Sequence, residues 1–143
     1  MGYSLSPHRA LLLSGGISYS RGSKDPQPAI GILTSNLAEM PPLKSRAALR
    51  YGNRLLFVEV ENVSTLAQAK VDTDLKEQRT PGYAVWNAKA GIHTNKLKIT
   101  AGVDNLANRF YYEAFSYQRD PFRLGTKIPE PGRSLFLTAS YAF

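Results

Sequence analysis

The stretch YAVWNAKAGIHTNKLKITAGVDNL, residues 83–106, decides the fold. In its first half Ala84, Trp86, Ala88, Ala90 and Ile92 alternate with Asn87, Lys89 and Gly91. In its second half Leu97, Ile99, Ala101 and Val103 alternate with Lys98, Thr100, Gly102 and Asp104. Successive side chains on a strand point to opposite faces, so period two is the mark of a strand with one apolar and one polar side. His93-Thr94-Asn95-Lys96 between the halves is short enough to be a turn, and the whole predicts a β-hairpin.

The same period recurs on both sides of this hairpin. Over Ala10–Ser20, Leu11, Leu13, Ile17 and Tyr19 share a face, opposed by Ser14, Gly16, Ser18 and Ser20. Over Ser45–Tyr51, Ala47, Leu49 and Tyr51 oppose Arg46, Ala48 and Arg50. Gly52-Asn53 marks a tight turn. Over Arg54–Val63, Leu56, Val58 and Val60 oppose Glu59 and Glu61. Over Arg133–Phe143, Leu135, Leu137, Ala139, Tyr141 and Phe143 oppose Ser134, Thr138, Ser140 and Ala142. Leu12, Phe57, Val85 and Phe136 break the pattern by placing apolar groups on the polar side.

Alternation alone fits a soluble sandwich, whose apolar faces meet across a core. The connections separate the two cases. They run long, short, long, short, long: 21–44, 52–53, 64–82, 93–96 and 107–132. Structureless loops of this length are uncommon in compact domains, whereas membrane barrels pair short turns at one end with long loops at the other. The reading is all-β: an antiparallel up-and-down meander of about six strands, the closing part of a larger outer-membrane barrel.

Composition is compatible with this. The chain has 143 residues, 43% of them hydrophobic, and no run of about 20 apolar residues that a membrane helix needs. Without cysteine there are no disulfides or thiolate metal sites. The formal charge of +7 comes from scattered Lys and Arg rather than a dense basic run, which argues against nucleic acid as the partner. His8 and His93 are the only histidines, lie far apart, and make no zinc-site spacing. Ala10-Leu11-Leu12-Leu13 is too short an apolar core for a secretory signal and is interrupted by Ser14-Gly15-Gly16. No cofactor or metal is expected.

The C-terminal run, apolar at every second position from Leu135 to Phe143, has the form of a terminal strand that docks by strand pairing. Several segments then resemble one family. Tyr83-Ala84-Val85, Val103-Asp104-Asn105-Leu106-Ala107-Asn108-Arg109-Phe110-Tyr111, Pro131-Gly132-Arg133-Ser134-Leu135-Phe136-Leu137 and the ending Tyr141-Ala142-Phe143 look like the closing segment of TonB-dependent outer-membrane receptors. Leu37-Ala38-Glu39-Met40-Pro41-Pro42-Leu43 resembles the segment preceding it. Each motif is loose by itself; their order and spacing carry the resemblance.

The resemblance implies a plugged barrel of about 22 strands in the outer membrane of a Gram-negative bacterium. Such a receptor imports a scarce nutrient: a ferric siderophore, haem, cobalamin or a metal chelate. Its implied partners are outer-membrane lipid, the barrel-assembly machinery, a plug and the inner-membrane TonB complex, which pulls on an energy-coupling segment of the plug. Residues 1–143 contain no plug-like segment or TonB box, and are expected to be a C-terminal piece of such a receptor. Leu135, Leu137, Tyr141 and Phe143 are the expected assembly signal. In the loop 108–131, Tyr112, Tyr117, Gln118 and Arg119 are the candidate substrate contacts, because aromatic and polar side chains suit a chelate. Phe110 and Tyr111 read rather as interface anchors. For Glu59, Glu61, Arg46, Arg50, Lys89 and Lys98, cross-strand charge pairing is favoured over a transport role. No catalytic set is expected. The alternatives are another outer-membrane barrel, such as a porin or barrel enzyme, and a soluble basic β-domain binding nucleic acid.

Overall fold

A computed structural model of the chain describes residues 2–8, 10–116 and 127–143. Seven strands form one antiparallel sheet in sequence order: β1 (Gly2–His8), β2 (Leu11–Ser18), β3 (Lys44–Gly52), β4 (Leu56–Thr65), β5 (Tyr83–His93), β6 (Leu97–Asp104) and β7 (Ser134–Tyr141). The meander expected from the alternation is present, and β1 adds a strand to the six. That segment contains Pro7, which has no N–H for a ladder and is confined to edges and bulges. It lies at the sheet edge, and its register with β2 shifts between Leu5 and His8. The one helical element described is a 3-10 turn, Pro28–Ile30. No helix of the described residues is long and apolar enough to cross a membrane.

The two inner turns are built alike. Asn53 donates its N–H to the Leu56 carbonyl (2.8 Å), and its Oδ1 accepts the N–H groups of Leu55 (2.8 Å) and Leu56 (2.9 Å). Thr94 donates to the Leu97 carbonyl (2.8 Å), and its Oγ1 accepts the Leu97 N–H (2.9 Å). A short polar side chain thus replaces the missing ladder partner, which is why Asn and Thr suit these positions. The first turn is one residue wider than Gly52-Asn53 suggested. Both turns lie at one end of the sheet. The connections 19–43, 66–82 and 105–133 lie at the other.

From β2 to β7 the register keeps the strands in phase. Leu13, Leu49, Val60, Ala88, Val103 and Leu135 form one cross-strand row, and Tyr51, Val58, Ala90, Ala101 and Leu137 form the next. This side is apolar and exposed. Leu137 is 73% accessible, and Leu49, Val58, Trp86 and Ile92 are about half exposed or more. The opposite side carries Arg50, Glu59 and Lys89 in one row and Glu61 beside Asn87 in another. The apolar exceptions lie on this polar side, and two of them sit over glycines. Phe57 pairs with Gly91 and Phe136 with Gly102, and a Cβ on either glycine would collide with the facing ring. An aromatic ring covering a glycine's bare backbone restores local packing. Phe57 is buried and also carries the Arg50 guanidinium 3.8 Å from its ring centroid.

The core is therefore on the polar side and among the long loops: Ala48, Phe57, Tyr83 and Val85 on the strands, with Val71, Gln68, Asp72, Thr80, Asn105 and Ser116. Full burial of a large apolar side chain stabilises by about 1.5–3 kcal/mol. The half-exposed outer side chains together forgo on the order of 10 kcal/mol in water, as much as a domain's whole stability. Among the described residues this face has no second sheet against it.

Candidate functional site

The three long loops converge at one end and are bound to each other by polar contacts. Lys24, in 19–43, reaches across to 66–82. Its Nζ lies 2.5 Å from Asp72 Oδ2 and 3.2 Å from Asp74 Oδ2. Asp74 also accepts the N–H groups of Leu33 (3.0 Å) and Thr34 (3.1 Å). The Thr34 N–H and then the Lys24 ammonium hold the Asp74 carboxyl below its usual range. The Asp72 hydrogen bond holds Lys24 above its own. Glu77 bridges the same loops, accepting from Asp72 N–H (2.7 Å) and Glu39 N–H (3.2 Å). Asn36 donates to the Val71 carbonyl (3.0 Å), and Gln68 to the Met40 carbonyl (2.7 Å). Asp72 is 1% exposed, so a carboxylate is buried and paired while leucines on the sheet are bare. A buried charge of this kind persists only with such partners.

Loop 105–133 is tied at its base by two asparagines. Asn105, 4% exposed, donates to the carbonyls of Arg109 (2.7 Å) and Pro131 (3.3 Å) and accepts the Arg109 N–H (2.8 Å). Its own N–H donates to Asn87 Oδ1 (3.0 Å) on β5. Asn108 Oδ1 accepts the Arg133 N–H (2.8 Å). Both asparagines are left-handed at φ 51°, a region that Asn tolerates better than other non-glycine residues. The stretch around Asn105 and the Pro131-Gly132-Arg133 stretch, far apart in sequence, are thus two halves of one clamp.

Above the clamp the Tyr111 ring lies 4.3 Å from that of the buried Tyr83, and burial raises the Tyr111 hydroxyl above its ordinary range. Glu113 accepts from Tyr83 OH (3.1 Å) and pairs with Lys44 (3.2 Å). Tyr83, Asn87, Asp104, Tyr111 and Glu113 line a recess of about 290 Å³ at the loop end of the polar face. A larger recess of about 790 Å³ runs over β1–β4 beside Ser14, Arg46, Glu59 and Glu61.

Of the substrate candidates, Tyr112 is half-buried with its ring edge-on to Phe110 at 5.2 Å, and it is Tyr111, not Tyr112, that lines the 290 Å³ recess. Tyr117, Gln118 and Arg119 lie outside the described residues. Five of the six wall charges pair across strands: Arg46 with Glu61, Arg50 with Glu59 (3.5 Å) and Lys89 with Glu59 (2.9 Å), with Asn87 also donating to Glu61 (2.9 Å), whereas Lys98, opposite His93, has no acidic partner among the described residues. Leu135, Leu137 and Tyr141 lie on the exposed apolar side of β7, and Phe143 follows that strand edge-on to Tyr141 at 5.5 Å. No group of three or more acidic or histidine side chains able to hold a metal occurs among the described residues. Sequence reading missed the Lys24–Asp72–Asp74 latch and the Asn105 clamp. Asp72-Thr73-Asp74, an acid two residues before another, was the available sign of the first, since Asp72 Oδ1 accepts the Asp74 N–H (3.0 Å).

No protein-family model matches the chain, and no curated protein matches it by sequence. Solved structures do match. The chain superposes on the copper transporter OprC with a TM-score of 0.82 at 21% identity over 99% of its length. It superposes on the ferric enterobactin receptor PfeA from Pseudomonas aeruginosa (G324V mutant) at 0.66 and 17% over 98%. With the siderophore receptor PiuA from Acinetobacter baumannii the values are 0.62 and 16% over 96%. It spans 23%, 21% and 20% of those chains. At these identities the likeness is one of fold: the chain shares an all-β antiparallel meander with part of each of those proteins.

Proposed function

We propose that this chain forms the closing wall of an outer-membrane transport receptor that takes up a scarce metal or metal chelate by energy coupling, without enzymatic activity. The observation that carries the reading is the inversion of the sheet. Its apolar side is bare and its polar side is paired, which suits lipid outside and water within. The superposition on a copper transporter and two siderophore receptors supports the substrate class. In this reading Tyr112, Tyr117, Gln118 and Arg119 contact the chelate on the cell's outside. Leu135, Leu137, Tyr141 and Phe143 are read by the assembly machinery. The TonB complex acts through a plug.

The edges limit how the barrel closes. β1 and β7 both run toward the short-turn end, since six consecutive reversals separate them. Antiparallel neighbours must therefore run the other way at both edges. The remainder of the barrel contributes an odd number of strands, giving the even total usual for such barrels. Two copies inserted the same way would meet in parallel and leave no all-antiparallel closure.

The test is membrane fractionation beside uptake. The protein is expected in the outer-membrane fraction, migrating faster in detergent gels before boiling than after. A strain lacking it should take up less labelled copper or ferric siderophore under limitation. Recovery in the soluble fraction without detergent would end the reading.

A further inference from the structure

We propose that the short-turn end of the sheet docks the phosphate-bearing headgroups of anionic phospholipids, through Arg54 and Lys96. The inference rests on the membrane-barrel reading above and adds a lipid class and two residues to it.

The motive is a segregation of charge along the strands. Of the eleven Asp and Glu residues, Glu59 and Glu61 lie within β4. Asp104 closes β6 at the loop end, and all the others fall in the three long connections. The short-turn end has no acidic side chain of its own, yet it carries Arg54 in one turn and Lys96 in the next. Five of the described cations, Lys24, Lys44, Arg46, Arg50 and Lys89, are met by carboxylates, all outside the short turns, while others such as Lys70 and Lys98 have none. Among the described residues neither Arg54 nor Lys96 has an acidic partner.

The surroundings fit a headgroup. The turns are neighbours, joined by His93 N–H donating to the Leu55 carbonyl (2.8 Å). Directly beside them the outer face begins with exposed Leu55, Leu56, Leu97, Tyr51 and Tyr141. A basic tip followed by aromatic and aliphatic rows is the polarity profile of a lipid, headgroup then chains. His93 and Lys98 pair on the polar side of the sheet, so they are not part of the lipid-facing set. The turns are braced by Asn53 and Thr94, so each cation is held at a fixed height relative to the apolar rows.

The test uses the protein purified from outer membranes and placed in two kinds of vesicle. One is phosphatidylcholine alone, and the other is phosphatidylcholine mixed with phosphatidylglycerol of the same acyl chains. Lipid retained on the extracted protein is counted by native mass spectrometry. Enrichment of phosphatidylglycerol is expected, falling roughly fivefold for each cation removed in Arg54→Gln and Lys96→Gln. Arg54→Lys should keep most of it, and Lys70→Gln, at the loop end, should leave it unchanged. Unchanged enrichment in the double variant overturns the proposal. So does enrichment abolished equally by inorganic phosphate and by soluble glycerophosphate, which would make the edge a small-anion site. Failure to insert into either vesicle would refute the membrane reading itself, a result distinct from insertion without lipid preference.

Discussion

The outer face of the sheet and the long-loop end are opposites. On the face, Leu135 is 79% exposed; at the loop end, the Asp72 carboxylate is 1% exposed. A water-soluble protein arranges these the other way, because burying a leucine is favourable and burying an unpaired carboxylate is costly. The loop end meets its cost locally, through the Lys24 ammonium on Asp72 Oδ2 and the Asp74 N–H on Asp72 Oδ1. The face has no such internal answer, so its stability depends on what solvates it. The two regions thus answer to different solvents, and perturbations should separate them.

The largest separation is expected from charge placed on the apolar side. Leu137→Arg should destabilise the folded protein in a bilayer by about 2–4 kcal/mol, the cost of an Arg near the midplane of a barrel's lipid face. Thr138→Arg, one residue on and on the polar side, should cost much less. Equilibrium unfolding of the reconstituted protein in urea measures both. Equal effects of the two substitutions, or a gain in stability from Leu137→Arg, would mean that the apolar side does not face lipid.

At the loop end the largest effect should come from Asn105→Ala. It removes one acceptor and two donated bonds at a buried position and puts a Cβ residue without a compensating side chain at φ 51°. Leaving buried groups unpaired costs about 1–3 kcal/mol. The expected outcome is faster proteolysis of 105–133 with the strands left intact. Asn105→Gly should lie between, since glycine keeps the backbone conformation and loses the clamp. Cleavage unchanged in the alanine variant would mean that Pro131 and Arg109 are held by something else.

Phe143 sharpens the comparison differently, because its folded-state contact is small. It meets Tyr141 edge-on, a contact of about 0.5–1.5 kcal/mol. Phe143→Ala and deletion of Phe143 should therefore change thermal stability of refolded protein little, while lowering the amount reaching the outer membrane if assembly reads that residue. Normal membrane abundance in both variants would leave Phe143 an ordinary girdle aromatic.

Much of the face was legible because strand period is local. Leu49, Val58 and Ala90 identify one side from their own neighbours, and the register merely aligned them. Phe57 and Phe136 looked like errors in that pattern, since their partners Gly91 and Gly102 lie on other strands. β1 was hidden by Pro7, whose acceptability depends on an edge position that sequence does not state. The loop end was least legible. Lys24 and Asp72 are 48 positions apart, and no local period marks a contact made across two connections. Asn105 and Asn108 were visible as a motif, but their role as a clamp needed Pro131 and Arg133 beside them.

The smallest effect should be the pH response of the Lys24–Asp74 latch, and its sign follows from the two shifts. Asp74 is held below its usual value near 3.8, so its contribution is complete above that value. It is lost as pH falls through the lowered folded value. Lys24 is held above its usual 10.5, so its contribution is complete below that value and is lost as pH rises through the raised one. The latch is therefore whole between roughly pH 4 and 10.5 and opens on both sides. Both groups are near solvent, which screens the pair and keeps the effect modest. The chain has no cysteine, so spin labels at Leu33→Cys and Leu75→Cys report only the separation of loops 19–43 and 66–82. The distance distribution should be narrow through the middle of the range and broaden at both limits. Asp74→Asn should remove most of the acid limb, because the amide still accepts from Leu33 and Thr34 but no longer titrates. Since the strands contribute no titrating group to this latch, the apolar face should be unmoved across the same range. Broadening that tracked unfolding of the sheet would mean that the two regions are one cooperative unit after all.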